Sequence, residues 1–99
     1  MAGYGIELTE SAKADLNYFS VYERRIIVSD IRTQLSYQPL IETRNRKPMR
    51  DNAVAPWVLR TRKYRTFYEV LAEEKKVRVV AIGHKEHNEL FVRGRKFEL

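Results

Sequence analysis

Apart from a brief alternation at Gly5–Leu8, the apolar residues of this chain change their spacing once, and all three prolines lie where the change occurs. Up to Leu35 they recur every three or four positions, and from Trp57 onward every second position. Pro39, Pro48 and Pro56 punctuate the stretch between, which follows neither period. The first spacing buries one stripe of a helix and the second buries one face of a strand, while proline breaks both ladders. Helices first and a strand meander after predict an α+β domain: a small, mostly antiparallel sheet with an N-terminal helix pair packed on one face. The other face is left free for function.

Local signals sharpen this division. Thr9 and Glu10 offer a cap and an acidic first turn, and Ala12, Leu16 and Phe19 share a helical face. Ser20 and Glu23 form the S-x-x-E capping box of a second helix, with Ile27, Ile31 and Leu35 as its stripe and Pro39 as its end. Residues 39–56 read as a long basic loop. Trp57–Arg62, Thr66–Ala72 and Val77–Gly83 read as three strands, the last the most apolar and hence central, with Glu73–Lys76 as the charged connection. Leu90–Leu99 forms a tail with a turn at Gly94. In the first of these strands Val58, Arg60 and Arg62 alternate away from Trp57, Leu59 and Thr61, which points Arg60 and Arg62 out of one sheet face.

The chain has 99 residues, one domain's length spanning 1–99, and a domain of this size holds one modest core rather than a deep enclosed cavity. A site is therefore expected on an open groove. With no cysteine, disulfide staples, thiolate catalysis and cysteine-based zinc sites are excluded. No apolar run approaches the roughly 20 residues of a membrane span, and the first residues lack the pattern of a secretory signal, so no membrane association and a cytoplasmic location are expected.

The net charge is +6, and it is segregated. Residues 44–65 carry Arg44, Arg46, Lys47, Arg50, Arg60, Arg62, Lys63 and Arg65 against the single anion Asp51, while the remainder is close to neutral. A solvated basic face is the plain alternative, but concentration of the whole excess in one window is what a polyanion site requires. Arginine dominates the window, and its planar fork grips phosphate at two points and stacks on bases. Trp57, Tyr64, Phe67 and Tyr68 interleave with these cations, although aromatics at strand period commonly build core, which is expected of Trp57 and Phe67.

Motifs of common enzymes are missing: there is no glycine-rich phosphate loop, nucleophile elbow or zinc-protease helix. His84 and His87, with Glu86 and Glu89, match a metal ligand set only in part, and a surface turn explains them equally well. No metal and no cofactor are expected. The inventory permits metal-free RNA cleavage, in which a 2′-hydroxyl attacks the adjacent phosphate, arginines neutralise the developing charge, and a histidine or lysine moves the proton. His84, directly after the third strand, is the better histidine for that task.

Glu42-Thr43-Arg44-Asn45-Arg46-Lys47-Pro48, Ala55-Pro56-Trp57-Val58-Leu59-Arg60, Lys63-Tyr64-Arg65-Thr66-Phe67-Tyr68-Glu69-Val70 and Ala81-Ile82-Gly83-His84-Lys85, taken in this order, resemble the RelE/ParE superfamily of toxins from type II toxin-antitoxin modules. The resemblance spans essentially the whole chain. It implies a toxin held inactive by a cognate, acidic antitoxin in a hetero-oligomer. RelE-like members cut mRNA on the ribosome without metal, and ParE-like members inhibit DNA gyrase on the same fold. The first activity is the expected one; gyrase inhibition, or a non-catalytic nucleic-acid-binding role, is the alternative. The resemblance places Arg60 at a substrate contact, Arg65 at the scissile phosphate, and His84 and Lys85 at the cationic positions after the fourth strand. Phe91 falls near a C-terminal tyrosine of the nucleases. Phenylalanine stacks on a base but transfers no proton, which moves the proton work to His84 or Lys85. Arg44, Arg46, Lys47 and Arg50 of the loop, with Arg62, Lys63 and Arg93, are the expected RNA contacts on grounds of charge.

Overall fold

In the computed structural model, which describes residues 3–98, each helix opens on the cap its sequence announces. The Thr9 hydroxyl accepts the Ala12 N–H at 3.1 Å at the head of α1 (Glu10–Asn17). Ser20 and Glu23 complete a reciprocal capping box at the head of α2 (Val21–Leu35). A short strand, β1 (Gly5–Leu8), precedes the helices. After them come β2 (Arg46–Pro48), β3 (Trp57–Thr61), β4 (Tyr64–Leu71), a single 3-10 turn, β5 (Lys76–Glu86), β6 (Glu89–Val92) and β7 (Arg95–Phe97).

Among the described residues the seven strands form one sheet in the order β2-β3-β4-β5-β6-β7, all antiparallel neighbours, with β1 parallel to β5. β4 occupies one edge of β5 from Lys76 to His84. The other edge is shared: β1 covers it up to Val79, and β6 takes over at His84. Phe19, in the turn between the helices, and Ile27, Ile31 and Leu35 of α2 pack with Leu59, Tyr68, Val77, Val79 and Ile82 in the main core. The opposite sheet face carries a smaller cluster of Ala55, Val58 and Phe67, flanked by Met49 and Leu90. The α+β architecture and the central place of β5 are as the sequence predicts.

Three details differ. The basic loop contains β2, whose Pro48 is tolerated because the strand lies at the sheet edge. The C-terminal tail forms the β6–β7 hairpin, turning at Arg93 and Gly94, both with positive φ (52° and 78°). A bulge interrupts β5: Phe67 of β4 pairs with Ala81 and Tyr68 with Val79, so Val80 has no partner. An unpaired residue reverses the side-chain alternation beyond it. Val77 and Val79 face the helices, and after the bulge so do Ile82 and His84, while Ala81, Gly83 and Lys85 turn to the open face. Among the described residues no helix is long and apolar enough to cross a membrane.

Candidate nucleic-acid interface

Arg60 and Arg65 are register partners on β3 and β4 and emerge together on the open face. Arg60 is exposed. Arg65 lies partly buried, and one terminal nitrogen donates to the carbonyls of Arg62 at 3.1 Å and Tyr64 at 2.8 Å. These bonds fix the guanidinium against the hairpin turn before any ligand arrives. Burial, and then the like charge of Arg60, hold Arg65 below the ordinary guanidinium range, so a phosphate brought here relieves repulsion as well as gaining two donors.

A hollow of about 530 Å³ beside this pair is lined by Arg44, Asn45, Lys47, Arg60, Arg62 and Arg65. It shares Lys47, Arg60 and Arg65 with a longer groove of about 640 Å³ that runs across the sheet to Lys85 and the β6–β7 hairpin. The loop wall of that groove is firm. Asn52 accepts the amides of Val54 at 2.7 Å and Ala55 at 3.0 Å, and its own amide donates to Arg50 and Ala55 carbonyls. Arg50 lines the groove from this loop.

The remaining expected site residues are distributed elsewhere. Arg46 does not reach the open face: it is 8% exposed, and its guanidinium donates to the carbonyls of Ile41 at 2.9 Å and Gln34 at 2.7 Å, tying the loop to α2. Arg62 does not continue the alternation of Arg60. It occupies the β3–β4 turn at φ 55°, and its guanidinium lies 3.5 Å from Asp30 on α2, although the residue still borders the smaller hollow. Lys63 pairs with Glu23 of α2 at 3.4 Å. Arg93 reaches Asp15 of α1 at 2.8 Å and so faces the helices.

His84 likewise departs from expectation. The Val80 bulge sends its ring to the helix side, between Tyr18 (centroids 6.2 Å apart, planes 9°) and Phe91 (5.6 Å, 21°), with Phe19 edge-on. Its Nδ1 is buried without a hydrogen-bond partner, and Nε2 lies 3.6 Å from the Glu86 carboxylate. Phe91 is the register partner of His84 and shares that face. Both are therefore separated by the sheet from Arg65, whereas Lys85, one residue on, lines the groove. Among the described residues no group of three or more His, Asp and Glu gathers in a way that could hold a metal ion.

Two features escaped the sequence reading. Met49, Leu90 and Phe97 join Val58 and Phe67 as apolar lining of the groove. Only the pairing of distant strands brings Leu90 and Phe97 there. Asp15 is the second. It is 1% exposed, and Oδ2 accepts the Ile82 amide at 3.0 Å, in the gap that β1 and β6 leave along β5. Burial pushes its carboxyl above the usual range, against the pull of the Ile82 N–H and Arg93. Its spacing of three from Ala12, on the buried face of α1, was the available signal.

Two helices on one side of a mostly antiparallel sheet, and an arginine pair in a cationic groove on the other, define a small α+β protein with a basic open face. Comparison with known proteins gives that class a family. The sequence model described as ParE toxin of type II toxin-antitoxin system, parDE, matches residues 6–89, and the chain belongs to this family, within the RelE/ParE superfamily. In structure it is similar to a chain of the toxin-antitoxin complex RelBE2 from Mycobacterium tuberculosis. The TM-score is 0.74 at 26% identity, over 86% of this chain and 94% of that one. The archaeal RelE-RelB complex from Pyrococcus horikoshii OT3 matches in fold, with a TM-score of 0.65 at 15% identity over 85% of this chain and 97% of that one. No curated protein matches the sequence.

Proposed function

We propose that this toxin is a metal-independent endoribonuclease that acts in the cytoplasm on ribosome-bound mRNA and is restrained by a cognate antitoxin. The observation that carries the reading is the Arg60–Arg65 pair, with Arg65 pinned to backbone carbonyls at the mouth of a groove that also takes in Lys47 and Lys85. The attacking 2′-hydroxyl gives up its proton to solvent, closes a cyclic phosphate and expels the 5′-oxygen of the next nucleotide. Arg65 and Arg60 stabilise the added negative charge on the phosphoryl oxygens. Lys85, as an ammonium on the groove side of β5, gives the departing oxygen its proton. His84, on the far face, takes no part in the chemistry. The restraining antitoxin follows from the family and from the complexes in which the similar chains occur.

Brief expression without antitoxin, followed by mapping of new 5′ ends on translated mRNA, tests this. Cuts associated with codons are expected. They are expected to fall by at least about a hundredfold in Arg65→Ala, the scale of losing one preorganised charge-stabilising group. His84→Phe keeps the aromatic stack and is expected to keep the cuts. Loss of cutting in His84→Phe with an unchanged melting temperature overturns the assignment of proton transfer.

A second reading, inhibition of DNA gyrase by binding, is favoured by one observation: neither a histidine nor a tyrosine lines the groove among the described residues. Intact transcripts together with blocked supercoiling in the same preparation would establish it in place of the nuclease.

A further inference from the structure

Asp15 meets a demand that a neutral acceptor would also meet. Along one edge of β5, β1 ends its pairing at Val79 and β6 begins at His84, so the Ile82 amide finds no strand there and donates to Asp15 Oδ2. An amide or hydroxyl oxygen supplies such a bond without burying charge, and a carboxylate withdrawn from water costs more than either. The second oxygen gives the reason for a carboxylate. Arg93 Nε lies 2.8 Å from Oδ1, yet no hydrogen bond is aligned on that oxygen among the described residues, and the arginine side chain is half exposed. Charge rather than a directed bond holds the pair, and water reaches it from one side. The hairpin that carries Arg93 has little else to fasten it. β6 meets β5 over three register pairs, and among the described residues β7 joins the sheet through β6 alone. Its two faces look opposite ways. Leu90 and Val92 lie over Gly83 on the open side, where Leu90 and Phe97 wall the groove, while Phe91 stacks on His84 toward the helices. At the tip, Gly94 comes so close to Tyr18, at the end of α1, that a Cβ there would lie 3.3 Å from its hydroxyl. Tip and wall belong to one short two-stranded unit, so a shift of the tip moves the wall.

We propose that Asp15 and Arg93 form a clasp that fastens the β6–β7 hairpin to α1 and thereby sets the width of the groove on the opposite face of the sheet. Both are positioning residues. Neither lines the groove, and they act on what it holds through Leu90 and Phe97. The effect on RNA rests on the nucleic-acid reading above, whereas the effect on groove width does not.

The chain has no cysteine, so Asp51→Cys beside the loop wall and Arg95→Cys on β7 can carry a pair of spin labels whose separation reports the groove width. With the clasp intact a single narrow distance distribution is expected. Arg93→Ala is expected to broaden it toward longer distances and to speed amide exchange in β6 and β7 about tenfold, with exchange in β3 and β4 unchanged. Arg93→Lys keeps the charge and is expected to restore both. Asp15→Asn keeps the acceptor for Ile82 and is expected to release the hairpin as Arg93→Ala does, and the two changes together are expected to do no more than either alone. On the unlabelled toxin, affinity for a single-stranded RNA oligomer, 2′-O-methylated to prevent cleavage, is expected to fall about tenfold in Arg93→Ala. Its salt slope is expected to stay the same, because no phosphate contact is lost. Unchanged distances and exchange in Arg93→Ala mean that the β5–β6 ladder holds the hairpin unaided and overturn the clasp, as does loosening that spreads equally to β3 and β4. A shallower salt slope makes Arg93 a direct phosphate contact and overturns its positioning role. Release of the hairpin at unaltered affinity overturns its bearing on RNA. Failure of the unaltered toxin to bind RNA overturns the nucleic-acid reading, and the distances and exchange then decide the clasp by themselves.

Discussion

Gly83 sits opposite Arg65, and its missing side chain is a structural requirement. A Cβ there meets the Phe91 carbonyl oxygen at a distance no real pair adopts, and lies 3.0 Å from Val92 Cγ2. β6 leans over β5 at this point, which lets the hairpin become a groove wall. Gly83→Ala is expected to cost about 1–3 kcal/mol, as overpacking against backbone does, and to splay the hairpin. A lowered melting temperature together with faster amide exchange at Phe91 checks this. Asp15 is the matching demand on the other side, since it satisfies Ile82 and holds Arg93. Asp15→Ala leaves the Ile82 N–H unsatisfied in the core and is expected to destabilise by about 1–3 kcal/mol. Asp15→Asn keeps an acceptor and is expected to lose less, as denaturant unfolding of both variants will show. Neither role is visible at the level of residue type, because each depends on a neighbour remote in sequence.

Among the elements, α2 and the β3–β4 hairpin are joined at the helix head. The Tyr64 hydroxyl donates to Glu23 at 3.0 Å, the same carboxylate that closes the capping box and pairs with Lys63. Burial, and then the bond to Glu23, push the Tyr64 hydroxyl up to about 12. Glu23 moves the other way, held below the usual carboxylate range first by Tyr64. A depressed carboxylate favours folding above its unfolded value, and that contribution is lost as pH falls through its folded value. In Tyr64→Phe, the Glu23 titration followed by NMR is therefore expected to move upward, and stability is expected to depend less steeply on pH on the acid side. The capping box was legible from Ser20 and Glu23 alone, because caps are local. The contact with Tyr64 was not. The Val80 bulge matters most at this scale, since one unpaired residue moves His84 to the helix face and Lys85 to the groove.

For the whole molecule, segregated charge makes a claim about salt. Each phosphate the groove neutralises makes affinity for single-stranded RNA fall with salt at a slope of roughly 0.7, and Arg60→Ala, which removes one of the two cations at the shared phosphate, is expected to make the slope shallower. Arg46→Ala is expected to leave the slope unchanged and to lower the melting temperature, because its guanidinium is spent on Ile41 and Gln34 carbonyls. Anisotropy titrations at several salt concentrations separate the two. Read by itself, the sequence determined the order of helices and strands, the capped starts of α1 and α2, the central place of β5 and the outward aim of Arg60, all consequences of spacing within about ten residues. Tertiary structure decided which of the remaining cations share a face. It buried Arg46, drew Arg62, Lys63 and Arg93 to helix carboxylates, turned His84 and Phe91 away, and brought Leu90 and Phe97 beside Arg65. The physical reason is that side-chain direction on a sheet is set by register, and register here depends on a bulge and on pairings between strands far apart in the chain.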